Sequence, residues 1–266
     1  MSQDGEACMP AGMVERVLHS ALDDVVLVGG QALAFWMDRF GIRETDGQPA
    51  ISRDVDFFTP DAANLAPLHR FAKAIHGEVR LQPMRALTAL VGSAVAPADG
   101  QRVYNVDLIH AVVGVDRESL VANAMEVTTR DGARFRVMHP LDLLQSRNMN
   151  LHKLEAKRDE LGQLQLQLAI EVARHHLEQC IDTLESDATA NRAERERAMF
   201  DLLQVVDRYA SEDAARKNAL RYGIFLADAL PVWRIGSPAF WEQQWPHLRQ
   251  RMSPAYAQLC ERRKGA

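Results

Sequence analysis

The sequence predicts an α/β domain followed by a C-terminal helical region, and its texture along the chain carries that reading. Up to about residue 140, short β-branched apolar runs are separated by Gly, Pro and Asp: VVLVGG, DVDFFTP, EVRLQP, VYNVDLIHAVVG and EVTTRDGARFRVMHP. Beyond that point Pro and Gly almost vanish for about ninety residues, and Leu, Gln, Glu, Arg and Ala take over. No internal repeat recurs at a fixed period. The expected domains are therefore 1–150, α/β, and 151–266, helical.

Element by element, Val25 to Val28 is a compact apolar strand stopped by Gly29-Gly30. QALAFWMDRFG follows with good helix formers and ends on Gly41, a left-handed cap. Glu44 to Ala50, with Gly47 and Pro49, reads as a loop. Val55 and Phe57 alternate with Asp54 and Asp56, giving a strand, and 62–76 reads as a helix. Arg102 to Val113 is the longest strand candidate, and Gly132 marks the turn of a hairpin. In the second region, Leu164 to Leu168 alternates like a strand. Leu154, Leu161, Leu164, Leu168 and Val172 also mark one helical face, and the absence of breakers decides for helix. Further helices are expected over about 191–210 and 212–229, one of them ended by Pro231, with a last one somewhere within 239–262.

Composition narrows the class. The 266 residues are 47% hydrophobic and 25% charged, which excludes collagen-like, low-complexity and wholly disordered chains. A formal charge of −5 offers no global attraction for duplex nucleic acid. Cys8, Cys180 and Cys260 form no CxxC pair, so a reducing compartment is expected rather than a disulfide framework. The acidic MSQDGEACMP start has no apolar signal core, and no apolar run suffices to span a bilayer. The expectation is a cytoplasmic protein without membrane contact.

The chemistry-bearing pattern is Gly29-Gly30 followed by Asp54-Val55-Asp56. Residues i and i+2 of a strand share a face, so both carboxylates project together while Val55 and Phe57 turn away. Two such carboxylates repel unless a cation lies between them, and all-oxygen ligation favours Mg²⁺ or Mn²⁺. Asp107 interrupts the apolar run VYNVDLI, where an uncompensated buried charge would be costly. Beside Asp54 and Asp56 it would serve as a third ligand, or as the base for an attacking hydroxyl. The glycines end a strand and open a helix, whose N–H groups and dipole favour a phosphate.

In this order, the motifs resemble the nucleotidyltransferase superfamily that includes DNA polymerase beta. Its pattern is hG[GS], a spacer, hDh[DE]h and a third acidic residue on a later strand. More narrowly, VGGQALAFW, SRDVDFF, NVDLIH and HPLDLLQSRNMNLHKLEAKRDEL look like the AbiEii-type group, enzymatic toxins of toxin–antitoxin pairs. The resemblance covers roughly residues 20–160 and implies a mixed sheet flanked by helices. It further implies a metal-dependent transfer of NMP from an NTP such as ATP. The acceptor would be a tRNA end, a protein or a small molecule, and a cognate antitoxin is an implied partner. Asp54, Asp56 and Asp107 would be catalytic and metal-binding. Gly29, Gly30, Ser52, Arg53, Arg147 and Lys153 would contact the nucleotide, with Ser52 standing where the group has Thr.

Departures accompany the likeness. The spacer is longer, through an insertion around Glu44 to Ile51; the helix lysine falls at Arg147 with Lys153 out of register; and Arg158 precedes Asp159 where a lysine is usual. The altered lysine positions motivate one alternative, a catalytically silent nucleotide-sensing or partner-binding relative; a second is a small-molecule modifier such as an antibiotic nucleotidyltransferase, which shares the same catalytic pattern.

Other features read as structural. His175-His176 is assigned to a helix surface, and AERERAMFD to a solvated helix face. Trp233, Trp241 and Trp245 are assigned to anchoring the last helices, and Arg262-Arg263-Lys264 is too short for a nucleic-acid patch.

Overall fold

The structure, a computed structural model, describes residues 5–43, 53–83, 88–189 and 191–264. The chain divides into two compact units, Met1–Arg39 with Arg43–Leu143, and Phe40–Ile42 with Leu144–Ala266. It is mixed α/β with a C-terminal helical region, as the sequence texture requires. Among the described residues, no helix is long and apolar enough to cross a membrane.

The first unit is built on strands β1 (Val26–Val28), β2 (Val55–Phe58), β3 (Glu78–Leu81), β4 (Leu90–Pro97), β5 (Val103–Ile109), β6 (Met125–Thr128) and β7 (Arg134–Val137). Helices α1 (Ala11–Ser20), α2 (Gly29–Phe40), α3 (Ala66–Ile75) and α4 (Arg117–Asn123) flank them. The sheet order is β3-β4-β5-β2-β1-β7-β6. β1 is antiparallel to β2 and parallel to β7, while β2 runs parallel to β5. β4 is antiparallel to both β3 and β5, and β6 to β7. β2 therefore lies at mid-sheet, between β1 and β5.

Burial explains the central strands. Val26, Leu27 and Val28 are all buried, as are Val55, Phe57 and Phe58. Phe57 stacks on Phe71 of α3 with centroids 4.5 Å apart, which closes one face of the sheet. Trp36 of α2 is fully buried, and its indole N–H donates to the Met138 carbonyl at 2.8 Å. Gly41 and Gly132 adopt the positive φ that their turns need.

Several boundaries differ from expectation. The helix expected over 62–76 begins only at Ala66, because Asp61 and Asn64 carboxyl and amide oxygens cap turn N–H groups ahead of it. The longest strand is β4 rather than the 102–113 run, which pairs only over Val103–Ile109. Gly92, Ser93 and Pro97 hide β4 from a propensity reading, but pairing on both edges and burial of 92–96 stabilise it.

The second unit takes most of α5 (Pro140–Lys153), with α6 (Glu160–Ser186), α7 (Arg192–Ser211), α8 (Asp213–Tyr222), α9 (Trp245–Leu248) and α10 (Pro254–Arg263). The unit boundary falls within α5. The ambiguous Leu164–Leu168 run is helical, inside the 27-residue α6. Leu168 and Val172 of the expected stripe are buried, together with Leu166, Ala169, Ile170, Ala173, Leu177 and Ile181; Leu161 and Leu164 are half-buried, and Leu154 lies outside the helix and is exposed. Asp159 ends the preceding turn and caps α6 by accepting from the Gly162 N–H at 2.8 Å.

α8 ends at Gly223 in the left-handed conformation, eight residues before Pro231, so the proline does not terminate it. The last helix expected within 239–262 is α10, preceded in that window by a π-helical turn (Phe240–Gln244) and α9. Trp241 and Trp245 are buried there, with Arg263 stacked on Trp233 and Lys264 on Trp241. The surface assignment of His176 is overturned. Its ring is buried beside Cys180 Sγ at 3.6 Å, because the seam of the long helix passes through position 176; burial holds its pKa down to about 4. His175 remains half-exposed and stacks on Phe40.

Candidate metal centre

The register of the first unit aligns the candidate residues across neighbouring strands. Val28 of β1 pairs with Asp56 of β2, Asp56 pairs with Asp107 of β5, and Asp107 pairs with Ser93 of β4. Paired residues share a sheet face, so Asp56 and Asp107 project side by side. Asp54 sits at the bend just before β2 and, two residues from Asp56, completes the set. One carboxylate oxygen from each of the three lies within 4.8 Å of the others. All three side chains are half-buried, reachable from solvent yet partly stripped of it.

The glycine turn is tied to this cluster. Gly29 has a φ of +69°, and a Cβ built on it would lie 2.1 Å from Oδ2 of Asp56. A side chain there is disfavoured twice, by the left-handed backbone and by the carboxylate. The turn thus opens α2 beside Asp56, with Gly30 buried in its first turn.

Electrostatics agree with three crowded acids. Burial foremost, and then the charge of Asp54, raise the Asp107 carboxyl above its ordinary range. Opposing them, Ser93 Oγ donates to Asp107 Oδ1 at 2.6 Å and Asn105 Nδ2 donates to the same oxygen at 2.8 Å. Asn105 is 5% exposed and its amide oxygen is buried without a partner, an arrangement costing roughly 1–3 kcal/mol.

A fourth carboxylate feels the site. Glu6 is bridged to Val103 at the start of β5, anchored by the Ala7 N–H donating to the Val103 carbonyl at 2.9 Å. Its carboxyl is raised by burial and by the charges of Asp54 and Asp107, with Arg53 opposing.

The donor set fits a small divalent cation. Carboxylate oxygens on one Mg²⁺ lie up to about 4.2 Å apart, twice its ligand distance. The cluster's oxygens lie within 4.8 Å of one another, and their mutual repulsion is what a cation would relieve.

The structure brings together Asp54, Asp56, Asp107 and Gly29, with Gly30 adjacent. Arg53 is exposed and immediately precedes Asp54. Ser52 and the 44–51 insertion lie outside the described residues. Arg147 and Lys153 both belong to the second unit. Arg147 is buried there, and its guanidinium donates to Gln165 Oε1 at 3.0 Å, so it ties α5 to α6. Lys153 is exposed at the end of α5. Arg158 donates to the His152 carbonyl at 2.8 Å.

Sequence reading missed Ser93, Asn105 and Glu6. Asn105 had a usable signal, since it stands two residues before Asp107 on the same strand face. Ser93 and Glu6 had none, because only strand pairing brings them near.

The chain matches no protein-family model and, at a significant level, no curated protein.

Proposed function

We propose that this chain is a metal-dependent nucleotidyltransferase, transferring a nucleoside monophosphate from an NTP to an acceptor hydroxyl or phosphate with release of pyrophosphate. The observation that carries the reading is the convergence of Asp54, Asp56 and Asp107 beside the Gly29 turn that opens α2.

Asp54 and Asp56 would hold a divalent cation. Such an ion, when bound, neutralises the triphosphate and stabilises the leaving pyrophosphate. The N–H groups of the first turn of α2 would face phosphate oxygens, where the helix dipole favours negative charge. Asp107, with its raised pKa, is the carboxylate suited to accept the proton of the attacking hydroxyl. The reaction asks little more of the protein than placement and charge.

The test is pyrophosphate release from each common NTP with Mg²⁺ or Mn²⁺, alongside an Asp54→Asn/Asp56→Asn double variant. Release by the wild type and not by the variant supports the reading; no binding and no turnover with any NTP removes it.

A second reading has its own motivation. Arg147, at the position of the resembled group's helix lysine, is buried and engaged with Gln165. A nucleotide-sensing relative would bind NTP with Mg²⁺ and release no pyrophosphate, which the same assay separates.

A further inference from the structure

The carboxylate of Asp107 is hydrogen-bonded on one side only. Ser93 Oγ and Asn105 Nδ2 both donate to Oδ1, at 2.6 and 2.8 Å, while Oδ2 accepts no hydrogen bond among the described residues. Both donors are held by the sheet: Ser93 is the cross-strand partner of Asp107, and Asn105 lies two residues earlier on the same face. They are 7% and 5% exposed, so neither swings freely. Asn105 keeps its Nδ2 on Asp107 although its own amide oxygen remains buried without a partner.

A carboxylate with one oxygen saturated offers a cation the other. That distinction separates ions. Ca²⁺ takes six to eight oxygens and accepts carboxylates through both, whereas Mg²⁺ demands a tight octahedron that one oxygen per carboxylate satisfies. We propose that Ser93 and Asn105 are positioning residues that make Asp107 a one-oxygen ligand and so select Mg²⁺ or Mn²⁺ over Ca²⁺ at this site. The inference rests on the metal reading above and assigns ion selectivity to two residues outside the ligand set.

The test uses the full chain without nucleotide, titrated calorimetrically with MnCl₂ and with CaCl₂. Wild type is compared with Ser93→Ala, Ser93→Thr and Asn105→Leu, each first checked by a thermal melt. The ratio of Mn²⁺ to Ca²⁺ affinity is expected to fall on the order of 10-fold in Ser93→Ala and Asn105→Leu, the scale of a lost outer-shell partner. Ser93→Thr keeps the hydroxyl and is expected to keep the wild-type ratio. Ratios in the Ala and Leu variants that match wild type overturn the proposal. So does a fall that Ser93→Thr shares, because the cause is then a loosened strand and not a lost donor. Should Asn105→Leu fail to fold, the Ser93 pair decides alone. A wild-type chain that takes up neither ion removes the metal reading and this inference with it, whereas unchanged ratios in a chain that binds Mn²⁺ remove this inference only.

Discussion

Gly29 and Asp56 occupy the same small volume: a Cβ on Gly29 would lie 2.1 Å from Asp56 Oδ2. The glycine turn and the aspartate strand, 27 residues apart in the chain, are therefore one device. The missing side chain makes room for the carboxylate.

Gly29→Ala tests that relationship. The left-handed backbone at 29 costs a non-glycine residue roughly 1–2 kcal/mol, and the added methyl must also displace Asp56. The expected result is a lowered melting temperature together with weakened Mn²⁺ binding. A variant that melts and binds Mn²⁺ like wild type would break the link between turn and carboxylate.

Asp54→Asn and Asp56→Asn should separate stability from function. Each removes one of several crowded negative charges, so the metal-free protein is expected to melt at or above the wild-type temperature. The rise in melting temperature on adding Mg²⁺ should disappear in both. Differential scanning fluorimetry with and without Mg²⁺ checks this, and a persistent Mg²⁺-dependent rise counts against these ligands.

Acid sensitivity should report on His176. Its pKa is depressed by burial from 6.5 to about 4, so the folded chain refuses a proton that the unfolded chain accepts. Stability contributed by the neutral ring is full above pH 6.5 and is lost as pH falls toward 4, amounting to about 3 kcal/mol across the window. Urea denaturation at neutral pH and near pH 5 should show this slope in wild type and a flatter one in His176→Leu. Equal slopes would mean that His176 is not the group responsible.

Asp228→Ala should weaken the second unit without reference to the metal centre. The half-buried Asp228 carboxylate accepts from the Ser253 N–H at 2.9 Å and the Ser253 hydroxyl at 2.6 Å, holding the residue that caps α10. Removing it strands both donors and loosens the cap, costing roughly 2–4 kcal/mol. Chemical denaturation measures the loss, and Mn²⁺ affinity of the still-folded variant is expected to stay at the wild-type value.

Local chemistry made much of this protein legible from its sequence. The apolar run into Gly29-Gly30 marks a strand-to-helix turn because glycine tolerates that backbone most readily, and D-V-D at the start of a strand directs two carboxylates to one side. The change of texture near residue 140 marks the passage from sheet to helices, since breakers are what strands and turns require. The tertiary structure decided what depends on partners distant in the chain. β4 is a strand because β3 and β5 pair with both its edges, despite its glycine and proline. Pairing also puts Ser93 opposite Asp107 and Glu6 beside Val103, relations that no local spacing encodes. The buried seam of α6 includes Leu168 and Val172 of the expected face but is broader than it for the same reason, because a helix with apolar residues on several sides buries whichever sides its neighbours cover. Propensity and periodicity are properties of short segments; register, burial and the company a side chain keeps belong to the folded whole.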